Sequence, residues 1–148
     1  MFKNILFPTD GSPTSEAAMR TCMEFAGSIG AHVTALHVMP DFHVLNTNLE
    51  MVEDTRDNYL QETEERGRKI LAVIEQCAHE LGVDCDTVLR RSDEPYDAIL
   101  DEARERGSDL IAMASHGYHG IKALLLGSET QKVLVHSMIL VLVLRPLP

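Results

Sequence analysis

Ile5-Leu6-Phe7-Pro8-Thr9-Asp10-Gly11-Ser12-Pro13 is the stretch on which the reading of this chain turns. Three apolar residues closed by proline predict a buried strand over about residues 3–8. The residues that follow are turn formers. Ser12-Pro13 predicts a helix start, with a hydroxyl to accept a free N–H and then proline where no N–H is needed. Ala18, Cys22, Phe25, Ala26 and Ile29 recur behind it at helical spacing, and Gly30 is a natural stop. Strand, turn and amphipathic helix make one βα unit.

The unit repeats outward from there. Strands are expected at residues 32–39, 83–89, 109–114 and 139–144. A charged helix is expected from about Glu50 to Leu81, bending or breaking near Gly67. A second runs from Pro95 to a stop at Gly107, and a third from Ser128 to about Val135. Ser128 with Gln131 three residues later matches a capping box. Strands alternating with helices imply a parallel sheet covered on both faces. With right-handed crossovers, the expected fold is one α/β domain over residues 1–148. It is an open, doubly wound, five-stranded parallel sheet in the order 3-2-1-4-5. Ligands of such sheets bind beyond the carboxyl ends of the strands, where the order reverses. Here that point lies between strands 1 and 4, bordered by Pro8 to Ser12 and by Met113 to Ser128.

Composition narrows the partners. The 148 residues are 45% apolar and 24% charged, with a formal net charge of −10. That charge argues against nucleic acid and anionic membrane, but not against a small anion held by helix-start N–H groups. Cys22, Cys77 and Cys85 are odd in number and widely spaced, which fits a reducing compartment and no zinc site. Met1-Phe2-Lys3-Asn4 lacks the pattern of a signal peptide. The longest apolar run, Met138 to Leu144, is too short to span a bilayer. The expected location is the cytoplasm.

Gly117 and Gly127 have no side chain to keep a ligand from the backbone, and Gly127-Ser128 opens a helix whose N–H groups favour phosphate. Across the crevice, the Asp10 carboxylate could accept ribose hydroxyls or hold magnesium beside phosphates. These residues alone leave open the plainer reading, in which the glycines shape a turn and Ser128 caps its helix.

The sequence resembles the universal stress proteins over essentially its whole length. The nucleotide-binding branch of that family carries Gly-x2-Gly-x9-Gly-Ser/Thr after strand 4, and this chain has Ala114-x2-Gly117-x9-Gly127-Ser128. It also has Pro8-Thr9-Asp10-Gly11-Ser12 after strand 1 and Leu36-His37-Val38 in strand 2. The resemblance implies an adenine nucleotide alpha hydrolase-like fold and an ATP- or AMP-binding homodimer acting in stress response or signalling. Pro8, Thr9, Val38 and Met113 would border the adenine and Asp10 would hold the ribose. Ala114, His116 and Gly117 would line the path to the phosphates. Gly127, Ser128 and the N–H groups of Glu129 and Thr130 would cradle them. Ile139 to Leu144 would pair antiparallel with a second subunit; an exposed apolar edge strand is itself a reason for pairing.

Three positions depart from the family pattern. Ala114 replaces its first glycine. Glu129 puts a carboxylate in the first helical turn, where it would repel polyphosphate if it faced inward, favouring AMP or magnesium-screened ATP. Leu140 stands where the family often has proline. His116 and His119 read as loop residues more readily than metal ligands, and His37 as a packed strand residue. No Gly-Lys-Ser/Thr loop and no nucleophile–base pair is evident, so any ATP hydrolysis is expected to be slow. The alternatives are a slow ATP hydrolase or phosphotransferase and a dimeric scaffold that has lost the nucleotide, with Ala114 as the lesion; a phosphoacceptor receiver of the same topology is rejected. The receiver lacks its aspartate after strand 3, which ends Leu89-Arg90-Arg91, and its lysine after strand 5.

Overall fold

The computed structural model describes residues 1–43, 49–116 and 126–145. Five strands, β1 (Asn4–Pro8), β2 (His32–Met39), β3 (Cys85–Arg91), β4 (Leu110–Ala114) and β5 (Leu140–Leu144), form one parallel sheet in the order β3-β2-β1-β4-β5. Helices α1 (Pro13–Ile29), α2 (Leu49–Glu80), α3 (Pro95–Glu105) and α4 (Ser128–His136) alternate with them. The expected strand order is the observed one.

The sheet is buried on both faces because successive side chains of a strand point to opposite sides. Ile5 and Phe7 enter a cluster with Met19, Cys22 and Met23 of α1 and Leu71 and Ile74 of α2. Leu6 between them joins Ile99 and Ala103 of α3 and Val133 of α4 on the other face. The start of α1 is as the sequence predicts. Ser12 is the N-cap, its side chain accepts the Ser15 N–H at 3.2 Å, and Pro13 follows. Gly30 ends the helix in the left-handed conformation at φ 69°.

Four details differ from expectation. β3 begins at Cys85, not Val83, because the chain is still leaving α2: the Val83 N–H donates to Ala78 O at 2.8 Å. It also continues past Leu89. Val38 and Met39 of β2 pair with Arg90 and Arg91, and both arginine heads find acceptors: Pro40 O at 2.8 Å for Arg91, Glu102 and Glu105 for Arg90. α2 runs through Gly67 without a break. A Cβ there would lie 2.5 Å from Leu89 Cδ2 and 3.0 Å from His37 Cδ2, so this glycine lets the helix approach β2 and β3 closely. Finally, Ile139 stays outside β5, its N–H held by Ser137 Oγ at 3.0 Å.

Candidate functional site

The crevice lies beyond the carboxyl ends of neighbouring β1 and β4. On the β1 side the turn is built by local hydrogen bonds. The Thr9 N–H donates to Leu36 O at 2.8 Å. The Gly11 N–H donates to Thr9 Oγ1 at 3.1 Å. Asp10 Oδ1 accepts from the Ser12 N–H at 2.9 Å and from the Ser15 hydroxyl at 3.1 Å, which ties the half-buried carboxylate to the first turn of α1. Gly11 has φ 77°, and a Cβ there would meet Ile70 of α2 at 2.7 Å. That site excludes side chains twice over, by conformation and by space.

On the β4 side, three contacts fix the start of α4. The Gly127 N–H donates to Ser115 O at 2.7 Å. The buried Thr130 hydroxyl donates to Ala114 O at 3.0 Å. The Tyr96 N–H at the start of α3 donates to Glu129 Oε2 at 2.8 Å, with Lys132 Nζ 3.5 Å from the other oxygen. The inward-facing Glu129 that would repel polyphosphate is therefore not found: its carboxylate is bound to α3. The capping box is not found either. Gly127 is the N-cap, with no side-chain cap bond, and exposed Ser128 is the first helical residue. Gln131 Nε2 donates instead to Leu126 O at 2.7 Å. Gly127 has an ordinary φ of −61°. Its lack of a side chain serves close approach: a Cβ would come within 3.0 Å of His116 Cα.

His116 joins the two sides. Nε2 lies 3.3 Å from Thr14 Oγ1 of α1 and Nδ1 lies 3.1 Å from Ser115 Oγ. Asp10, His116, Gly127, Ser128, Glu129 and Thr130 thus belong to one assembly around the two helix starts. Among the residues expected at the adenine, Pro8 and Met113 are buried and Val38 is half-buried against the α3–α4 side of the core. Gly117 lies outside the described residues, as do His119, Gly120 and Lys122.

Three further contributors are not among the expected site residues. Thr14 meets His116, Ile70 closes over Gly11, and His37 donates from Nδ1 to Thr9 O at 2.9 Å. Burial lowers the His37 pKa from its ordinary 6.5. The only advance sign of His37 is its place in Leu36-His37-Val38.

Among the described residues no group of three His, Cys, Asp or Glu side chains is placed to hold a metal. Burial pushes the Cys22 thiol up to about 12 and Cys85 to about 11 and raises Cys77, so none is a ready thiolate. A groove of about 600 Å³ opens at the opposite end of the sheet, beside Asn4, His32, Glu102 and Arg106. Its charges are paired, Glu102 with Arg90 and Arg106 at 3.6 and 3.7 Å, and it lies far from the strand-order reversal. Among the described residues no helix is long and apolar enough to cross a membrane.

A model of the universal stress protein family matches residues 1–145. Universal stress protein YxiE of Bacillus subtilis is 33% identical over 149 residues, covering 98% of this chain and 100% of that relative. Universal stress protein MJ0577 of Methanocaldococcus jannaschii is 31% identical over 151 residues, 93% of this chain and 91% of that one. The solved structure of MJ0577 matches with a TM-score of 0.83 at 28% identity, covering 100% of this chain and 99% of that chain. A universal stress protein family protein from Arabidopsis thaliana, solved with AMP bound, shares the fold. Its TM-score is 0.70 at 18% identity, covering 98% of this chain and 92% of that one.

Proposed function

The chain belongs to the universal stress protein family, and on that premise we propose that it is a cytoplasmic adenine-nucleotide-binding module that works as a homodimer in stress response or signalling. The observation that carries this reading is the pinned start of α4. Ser128, Glu129 and Thr130 present the first N–H groups of a helix, which have no intrahelical acceptor, and the helix dipole favours phosphate there; Gly127, its own N–H taken by Ser115 O, adds no side chain to bar the approach. On the β1 side Asp10, tied to the first turn of α1 whose Thr14 meets His116, is the acceptor this reading gives the ribose hydroxyls. The Arabidopsis relative with AMP supports the same ligand class. The reading places adenine against Pro8, Thr9, Val38 and Met113, and the sugar–phosphate path along Ala114, His116 and Gly117.

Magnesium fits this reading as a companion of ATP. Asp10 supplies a hard carboxylate oxygen, and the ion's remaining positions suit phosphate and water. Bound there, it would neutralise phosphate charge. Ala114 is the residue on which the alternative, a scaffold without nucleotide, depends. Its methyl packs in the core and its carbonyl is the group that holds α4, so alanine does not obstruct the arrangement.

The dimer reading rests on β5, an edge strand of apolar residues. Leu140 is 63% exposed, with Met138 and Val135 exposed beside it. Pairing of the Ile139 to Leu144 segment with a second copy would cover an edge otherwise open to aggregation.

The test is to denature purified protein, identify released nucleotide by chromatography, and titrate the emptied protein with ATP and AMP with and without magnesium. Saturable binding at micromolar to low millimolar ligand is expected. No released nucleotide and no binding at millimolar ligand would overturn the proposal.

A further inference from the structure

Thr9 is where β1 leaves the sheet. Its N–H still follows the ladder and donates to Leu36 O at 2.8 Å. Its carbonyl is met by a side chain, with His37 Nδ1 at 2.9 Å. A carbonyl oxygen only accepts, so Nδ1 carries the proton. Two successive residues of β2, one by backbone and one by ring, therefore hold the two backbone polar groups of Thr9. The ring has little freedom. It is 8% exposed and lies against Gly67 of α2, where even a Cβ would come within 3.0 Å of Cδ2.

What this grip controls is the next residue. Asp10 follows Thr9 directly, and its Oδ1 is already committed to the Ser12 N–H and the Ser15 hydroxyl. The direction in which the rest of the carboxylate faces is set by the Thr9–Asp10 peptide, and His37 holds the carbonyl of that peptide.

We infer that His37 is a positioning residue of the nucleotide site: its Nδ1–H holds the Thr9 carbonyl, and so sets Thr9 against the adenine and Asp10 against the ribose. The inference rests on the nucleotide-binding reading given above. It does not make His37 a pH switch. Arg66 of α2 and Asp10 act on the ring with opposite sign, and burial, the larger influence, keeps it neutral near pH 7. Protonation would add a proton at Nε2 and leave the Nδ1–H in place.

Three variants separate the donor from the ring. His37→Asn puts an amide N–H the same number of bonds from Cα as Nδ1. His37→Gln places its amide at the reach of Nε2. His37→Leu has no donor. Each is titrated calorimetrically with AMP and ATP, and its folding is followed by thermal melting. All three lose stability because the ring is gone. The Asn variant keeps wild-type affinity within about twofold, while the Gln and Leu variants weaken it by about tenfold, the effect of having to re-order the released Thr9–Asp10 turn on binding. Should the Leu variant fail to fold, the Asn and Gln pair carries the comparison. Equal binding by all variants, or an Asn variant as weak as the Gln variant, overturns the inference and leaves the nucleotide reading intact. A wild type that binds neither nucleotide overturns both.

Discussion

Ser128→Asp is the substitution that best separates the proposed binding role of the α4 start from its structural role. Ser128 is exposed, is the first helical residue, and takes no part in capping. An aspartate there meets the positive end of the helix dipole, worth about 0.3–1 kcal/mol. It also gains Lys132 four residues on, worth about 0.3 kcal/mol. Glu129 beside it offsets part of this, so the variant folds at least as stably as the parent. Binding moves the other way. AMP carries close to two negative charges on its phosphate at neutral pH. Two unit charges about 5 Å apart at an effective dielectric of about 40 repel by about 1.7 kcal/mol. After screening, the doubly charged phosphate loses about 2–3 kcal/mol, a weakening of about 30- to 150-fold. Isothermal titration with AMP and with adenosine reads this directly. Adenosine has no phosphate, so its affinity stays within about twofold, and raising the salt narrows the AMP difference. Ser128→Ala, losing at most one neutral hydrogen bond, costs AMP only a few-fold. If the Ser128→Asp variant bound AMP as tightly as the parent, or if adenosine weakened equally, the phosphate would not sit at α4.

Other substitutions test the frame around the site. Glu129→Ala removes the acceptor of the Tyr96 N–H and lowers unfolding stability by about 1 kcal/mol in urea titration; an unchanged midpoint would mean that Glu129 is no cap. Acid should weaken the parent more than His37→Asn. The unfolded chain takes up a proton as pH falls through 6.5, while folded His37, whose pKa is lowered, resists it. Its stabilising contribution is therefore present above 6.5 and lost as pH falls toward the folded value. Parallel stability–pH curves for the two proteins would refute this. Leu140→Asp puts a charge on the exposed edge of β5 and should convert a sedimenting dimer to a monomer of unchanged fold. A parent that sediments as a monomer would refute the β5 interface.

Much of the fold was legible because strands covered on both faces must be apolar throughout. Ile5-Leu6-Phe7 and Leu110-Ile111-Ala112-Met113 are such runs, and their shortness and flanking turn residues favour strands over helices. What escaped depends on partners distant in sequence. Arg90 and Arg91 look like solvent residues, yet the pairing with Val38 and Met39 carries them into β3, and Pro40 O, Glu102 and Glu105 take their charge. Gly67 looks like a helix breaker because the sequence hides His37 and Leu89 on the strands beneath it. Ser128 and Gln131 have capping-box spacing, but the bond from the Gly127 N–H to Ser115 O moves the cap back one residue. In the site, Asp10, Gly127 and Thr130 were legible from motif and position. Thr14 was not, because only the folded chain brings it to His116 across 102 residues of sequence.

The same distant partners explain how Glu129 and Ala114 are compatible with a phosphate site. Read alone, Glu129 is a negative charge in the turn proposed to bind an anion. In the structure it is a strut whose carboxylate is bound by the α3 backbone and approached by Lys132. Together with the Gly127 and Thr130 bonds, it fixes α4 at three points within its first turn. Two of these points are carbonyls at the end of β4, those of Ala114 and Ser115. The work at position 114 is thus done by the backbone, and a methyl group turned into the core leaves it unchanged. N–H groups held in place before the ligand arrives need no ordering when it binds, and the affinity they supply is not reduced by that cost. Rigidity of the α4 start, more than the identity of the residue at 114, is what should decide whether this chain holds a nucleotide. Thr130→Val tests that directly. It keeps the side-chain volume but removes the hydroxyl that ties α4 to Ala114 O, and should weaken AMP binding by about five- to tenfold. An unchanged AMP affinity in a stably folded Thr130→Val protein would show that the tether does not matter for binding.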